Sequence, residues 1–279
     1  MIRIVTDSSC DLPDHLIDRH RITVVPLTIR FGDREFIDRI ELSNDAFWEM
    51  LQEGESLPET AAPSVGRFHA EYTRLSAEGA EAIVVICISS KLSATHQSAV
   101  LAAEQFPQGI PVVVIDSGHV STTLGLIAME AAEAAARGAS LETVEEVTRS
   151  AMGRANLYAT LDTLEYLKRG GRIGSTAAFF GTLLNVKPII RFEDGEVAAA
   201  GRVRTRKKAV ADVVGHVTDL ADRIERLAVV HSDPSDLDDF VDRLAEIRDD
   251  PPLITRLGPV VGTHAGPGVV GVVYLLASP

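Results

Sequence analysis

The chain has 279 residues, of which 46% are hydrophobic and 24% charged, and a net charge of −13. That length allows one large domain or two ordinary ones. The acidity excludes a general surface for nucleic acid or anionic membrane, since both need a basic excess. No apolar run approaches the ~20 residues of a membrane span, so no stable membrane insertion is expected.

The elements read as follows in chain order. Ile2–Thr6 is a short strand that stops at Asp7-Ser8-Ser9, and Pro13 suits the first turn of a helix. Val24-Val25 and Leu27–Phe31 are strand pieces, and Phe36–Ile40 closes a hairpin after the Gly32-Asp33 turn. Ser43 is an N-cap for Asn44–Leu51 and Ser64 for Val65–Ala77, with Glu53–Pro63 an irregular loop between them. Ile83–Ile88 is a buried strand that empties into a helix running from Leu92 through Gln105. Val112–Ile115 is a strand ending in Asp116-Ser117, followed by helices Ser121–Ala136 and Leu141–Met152. Strands alternating with helices imply a parallel sheet. Ligands bind at the carboxyl ends of such strands, so the three polar endings are expected to converge.

After Gly153 the texture changes. Leu157–Leu161 is a strand, Asp162 caps Thr163–Lys168, and Arg169-Gly170-Gly171-Arg172 is a flexible basic turn. Val186–Phe192 and Val197–Arg204 form a hairpin, Thr205–Leu220 and Leu237–Ile247 are helices, and Leu227–Val230, Leu253–Leu257 and Val269–Leu276 are strands. The expected architecture is α/β with two domains: a parallel-sheet α/β/α domain over 1–152 and an α+β domain over 153–279.

The densest chemistry lies at Ile83–Thr95, where four hydroxyls (Ser89, Ser90, Ser93, Thr95) and Lys91 sit between a strand and a helix. The first N–H groups of a helix lack internal partners and carry the positive end of its dipole, so the junction suits a carboxylate or a phosphate. Capping alone explains one serine, but not the set. Thr60 alone is a loop threonine. His264 stands in a glycine-rich segment, Gly262–Gly268, where backbone can approach a ligand. Gly266–Gly271 spells G-x-G-x-x-G, yet it opens a strand eight residues from the end of the sequence and is no dinucleotide fingerprint. Arg169, Arg172, Arg202, Arg204, Arg206, Lys207 and Lys208 form two basic clusters of opposite sign to the whole. No histidine spacing suggests a metal. Cys10 and Cys87 read as buried free thiols. With no basic-then-apolar leader, they fit a cytoplasmic protein.

As an ordered set these segments resemble the DegV family of bacterial fatty-acid-binding proteins. The resemblance is carried by Ile4–Pro13, by Thr60–Ser64 (similar to a T-S-Q-P-S loop), and by Ile88–Ala99 (similar to I-S-S-x-L-S-G-T-Y-Q-S-A). Asp116-Ser117, Leu161–Gly174, Asn185–Pro188, Arg202–Thr205 and His264–Gly268 complete it. It implies a fold like that of DegV proteins, which dihydroxyacetone kinase resembles. It also implies a long-chain fatty acid such as palmitate held between two domains, with Thr60, Ser93 and His264 on the carboxylate. Ser90, Thr95 and Ser117 are secondary candidates around it. A separate fatty acid kinase subunit then phosphorylates the presented carboxyl to an acyl phosphate for phospholipid synthesis, with Arg172 and Arg202 facing the kinase or the phosphate. The chain departs from the family pattern at Ala61-Ala62, Ala94 and His96.

The physics is compatible with a lipid. A desolvated carboxylate needs hydroxyl or N–H donors, and sixteen carbons contribute on the order of 10 kcal/mol gross at roughly 0.8 kcal/mol per methylene. Ala177–Leu184 is a candidate tunnel wall. No catalytic residue or cofactor is expected. The enzyme alternative, a serine acylhydrolase using Ser93 with His264 as base, lacks a G-x-S-x-G elbow and a third group to orient the base.

Overall fold

The computed structural model describes residues 1–54, 56–107, 109–179, 186–248 and 250–278. They form two compact units, Met1–Gly153 with Gly258–Val260, and Arg154–Leu257 with Val261–Pro279. The division falls between Gly153 and Arg154, with Gly258–Val260 the one later stretch placed in the first unit. The Gly258 N–H donates to the Asp11 carboxylate at 2.9 Å, and Gly258–Val260 group with the first unit.

In the first unit the strands are β1 (Ile2–Asp7), β2 (Thr23–Val25), β3 (Thr28–Phe31), β4 (Arg34–Ile37), β5 (Pro58–Ala61), β6 (Ala82–Cys87) and β7 (Val112–Asp116). The helices are α1 (Asp14–His20), α2 (Asn44–Glu53), α3 (Val65–Ala77), α4 (Thr95–Glu104), α5 (Ser121–Ala136) and α6 (Leu141–Arg154). β2-β1-β6-β7 is a wholly parallel sheet. Every residue of β6 is buried, which accounts for its unbroken apolar run. Alternate residues Ile83, Val85 and Cys87 join Val5 and Val25 against Phe68, Tyr72 and Leu75 of α3 and Ala99 and Ala102 of α4. α5 packs on β1 and β6.

A second, antiparallel sheet of order β4-β3-β5 corrects the loop reading of Glu53–Pro63: Thr60 lies on an edge strand, opposite Ile29. The segment Pro58–Ala61 has no apolar alternation to betray it. Its order comes from main-chain pairing with β3.

The second unit holds one mixed sheet of six strands. They are β8 (Ala155–Thr160), β9 (Lys187–Glu193), β10 (Glu196–Val203), β11 (Ile224–His231), β12 (Leu253–Arg256) and β13 (Val270–Leu276), in the order β10-β9-β8-β13-β11-β12. Only β11 and β12 pair in parallel. α8 (Arg206–Leu220) and α9 (Leu237–Ala245) supply Val210, Val213, Val217, Phe240 and Leu244 to the core over Val229, Val270 and Val272.

Strands β8, β10, β11 and β12 run the same way, so one end of this sheet gathers Asp162, Arg202, His231 and Arg256 with the start of β13. The unit also carries two short helices, α7 (Glu165–Arg169) and α10 (Pro259–Ala265), α10 beginning within Gly258–Val260 of the first unit. Among the described residues no helix is long and apolar enough to cross a membrane.

Candidate functional site

The three strand ends of the parallel sheet do meet. The Asp7 carboxylate at the end of β1 accepts the Ile88 N–H beyond β6 at 2.7 Å. Asp116 at the end of β7 accepts the Ser90 N–H at 3.0 Å and the Gly118 N–H at 3.1 Å. Burial pushes the Asp7 carboxyl up from its ordinary value against its bonds from Ser9 and Ile88. Burial also opposes ionisation of Asp116, but its bonds from Ser90 and Gly118, with His96 nearby, hold it below the usual carboxylate range. The two carboxylates therefore organise the loops, and a ligand carboxylate has to use other donors.

The hydroxyls divide accordingly. Ser117 is buried and closes its own turn, accepting the His119 N–H at 3.0 Å, and Ser90 is exposed and bonds Asp116. Thr95 is fully buried. Ser93 is half-buried, accepts the Thr95 N–H at 3.3 Å and lies 2.8 Å from the Thr95 hydroxyl. With the Thr95 hydroxyl as donor, Ser93 keeps its own proton for an acceptor outside the pair.

The expected helix start at Leu92 is corrected: α4 begins at Thr95, because Leu92 and Ser93 bond back to the Ser89 carbonyl in a separate turn. Ser93 thus precedes the helix and is outside its first turn. The first α-helical bond here runs from the Ser98 N–H to the Ala94 carbonyl, which leaves the His96 and Gln97 amides at the open end. Ala94 has φ −74°, a conformation open to any residue, so its departure from glycine costs the backbone nothing. Thr60 and Ser93 belong to the first unit, and His264 to the second.

In the second unit His264 occupies the last turn of α10, a helix the glycine-rich sequence concealed. Burial first, and then the nearby Arg172 guanidinium, lowers its pKa to about 4, so the imidazole is neutral near pH 7. It packs against Gly170 so closely that a Cβ there would lie 2.1 Å from Nδ1.

The expected flexible turn at Arg169–Arg172 is corrected too. The Arg172 N–H donates to Leu167 O at 2.9 Å and the Gly171 N–H to Lys168 O at 3.1 Å, with Gly171 at φ +69°. This is a Schellman closure of α7, which only a left-handed residue such as glycine accommodates readily. It orders the backbone that carries Arg172, whose Nη1 donates to Gly170 O at 2.5 Å. Arg202 lies exposed near the end of β10.

Asp162 does not cap a helix: α7 starts at Glu165, and Asp162 pairs with Lys187 at 2.6 Å. Arg206, read with the basic clusters, is mostly buried and committed to Asp236 through Nε–Oδ2 at 2.9 Å. Nothing in the sequence pattern marks that pair, which spans thirty residues. Of the candidate wall Ala177–Leu184, residues 180–184 lie outside the described residues, as does Asn185. An open groove of about 480 Å³ in the first unit is lined by Arg3, Arg21, Arg74, Asp18 and Glu71, among others. Arg74 in it pairs with Glu71 and Glu78, and the charged lining is unsuited to an acyl chain.

A family model described as the DegV family of uncharacterised proteins matches residues 1–277. A DegV domain-containing protein of Streptomyces coelicolor is 38% identical, over 98% of this chain and 97% of its own. One of Deinococcus radiodurans is 37% identical, over 97% of each. Among solved structures, a DegV family protein of Thermus thermophilus, described by its fatty acid binding, superposes with a TM-score of 0.87 at 35% identity over 99% of both chains. DegV of Bacillus subtilis, described as a fatty acid binding protein, gives 0.90 at 30% identity over 99% of both. A stearic-acid-binding protein of Eubacterium ventriosum gives 0.89 at 27% identity, over 99% of this chain and 98% of its own.

Proposed function

Since the chain belongs to the DegV family, we propose that it is a cytoplasmic carrier that binds a long-chain fatty acid and presents the carboxylate to a separate kinase. The kinase phosphorylates the carboxylate to an acyl phosphate. The partners of the carboxylate are the hydroxyls of Thr60 and Ser93 and the imidazole of His264. The reading is carried by Ser93: with the Thr95 hydroxyl donating to it, its hydroxyl keeps a proton to give, at a strand-to-helix junction, in a chain whose full-length relatives are described as binding fatty acids. A carboxylate leaving water requires such donors.

The carrier needs no nucleophile of its own. A neutral His264 donates one N–H to the bound anion, and the Arg172 cation near it adds attraction. Arg172 and Arg202 then serve the transferring phosphate or the kinase surface. In the reaction the fatty acid oxygen attacks the γ-phosphorus of ATP on the kinase, ADP leaves, and the chain holds the acyl group throughout.

The test is reconstitution with a bacterial fatty acid kinase subunit, ATP and oleate. Acyl phosphate is expected, trapped as the hydroxamate. Arg172→Ala is expected to keep its lipid but lose most product, and normal yield in that variant would overturn the role given to Arg172. Hydrolysis of a p-nitrophenyl acyl ester, abolished by Ser93→Ala, would replace the carrier reading with that of an esterase.

A further inference from the structure

Arg206 sits where a cation is least welcome. It opens α8, whose first turn holds Arg206, Lys207 and Lys208 and no acid, against the helix dipole. Lys207 and Lys208 are exposed, whereas the Arg206 side chain is only 21% exposed. Its fork meets Asp236 through two bonds, Nε–Oδ2 at 2.9 Å and Nη2–Oδ1 at 3.0 Å. Its remaining nitrogen, Nη1, donates to the Gly268 carbonyl at 2.5 Å and lies 3.6 Å from Asp162. Only arginine offers a planar fork that spans a carboxylate while a further nitrogen reaches a third group.

The Gly268 carbonyl belongs to the segment that leaves α10 just after His264. The Gly266 N–H closes on Gly262 O at 2.8 Å, and the Val269 N–H donates to the Ser232 hydroxyl at 2.8 Å. Gly266 lies on the Tyr166 ring and Gly268 on the Asp162 carboxylate, each too close for a Cβ, as Gly170 lies on His264. The imidazole is therefore set by contacts with the turn that closes α7 and by the loop that Arg206 ties down.

We propose that Arg206, braced by Asp236 and Asp162, is a positioning residue that fixes the Gly266–Gly268 loop and through it the His264 imidazole. The proposal rests on the reading of His264 as a carboxylate partner. Arg206 does not touch the acid. It keeps His264 packed and aimed.

The test follows His264 by NMR through a pH titration in the full chain, and compares oleic acid with methyl oleate as ligands, in Arg206→Gln and Arg206→Lys. In the wild type His264 is expected to titrate near pH 4, lowered by burial and by Arg172. In both variants its midpoint is expected to rise toward the ordinary histidine value, because a loosened ring gains water. Oleic acid affinity is expected to fall about tenfold, as for one hydrogen bond to a charge. Methyl oleate affinity stays within about twofold, since an ester has no anion to aim at. An unmoved midpoint in a folded variant, or equal losses for acid and ester, would overturn the proposal. If both Arg206 variants fail to fold, Asp236→Asn keeps the side-chain volume and carries the same expectations. His264→Ala separates the two readings: a wild-type preference for acid over ester in that variant would defeat the role of His264 itself, and the titration alone would then decide the positioning.

Discussion

At the scale of the residue, Ser93 differs from the hydroxyls around it in being half-buried and, with Thr95 donating to it, in keeping a proton to give. Ser90 bonds Asp116, Ser117 closes a turn, and Thr95 is fully buried behind Ser93. Ser93→Ala removes one hydrogen bond to a charged group, a loss of about 1.5–3 kcal/mol, or roughly 10- to 100-fold in affinity. Titration with a fluorescent fatty acid should show that loss with the circular dichroism unchanged, and wild-type affinity would remove Ser93 from the site. His264 makes a second prediction. Its native pKa lies below the ordinary 6.5, first through burial and then through Arg172. The native state therefore binds fewer protons than the unfolded chain between about pH 4 and 6.5, and this stabilising contribution, full above pH 6.5, is lost as pH falls through about 4. Arg172→Gln removes a neighbouring cation and should raise the NMR midpoint of His264. A midpoint that stays at about 4 would leave burial as the whole cause.

At the scale of the element, legibility followed local chemistry. Ser43 and Ser64 cap helices that start at the next residue, as their sequence suggests, and Thr205, expected as the first helical residue, caps α8 in the same way, each accepting an N–H three residues on. Serine or threonine before a polar-apolar run announces such a start. β5 was illegible because its order comes from β3, twenty-seven or more residues away, and not from any alternation of its own. α10 was hidden by glycines that serve packing, and the Asp236–Arg206 pair by distance along the chain. Of the candidate site, the Ile83–Thr95 junction could be read from residues alone, whereas Thr60 and His264 drew their interest from the family resemblance. The G-x-G-x-x-G string gives the element-scale prediction. Gly271 lies in β13 between β8 and β11, opposite Ala159, and a Cβ there would meet Ala159 Cβ at 2.3 Å and Tyr158 O at 2.7 Å. Both obstacles sit at or beside the main chain, so Gly271→Ala should cost about 2 kcal/mol or more. A lowered urea midpoint with an unchanged slope is the expected reading. An unaltered midpoint would show that the strands can part at no cost.

At the scale of the whole molecule, the acidic balance is not confined to the surface. Burial raises Asp11 to about 7 and Asp38 to about 6, in spite of hydrogen bonds to Asp11 from Ser121 and Gly258 and of the Arg39 cation near both. Both native values exceed the unfolded value of 3.8, so the native state binds more protons across this window. Stability from these two groups is full below about pH 4 and is lost as pH rises through about 6 and 7. Asp11→Asn keeps an acceptor for Gly258 and should flatten the fall in urea stability between pH 5 and 8. An unchanged pH profile would contradict this assignment. The central claim, a fatty acid carried by this chain, is tested most directly by mass spectrometry of the lipid released when the purified protein is denatured. The account predicts a long-chain fatty acid in stoichiometric amount from the wild type and its marked depletion from Ser93→Ala. A wild-type protein that yields no fatty acid, and takes up none when incubated with oleate, would contradict it.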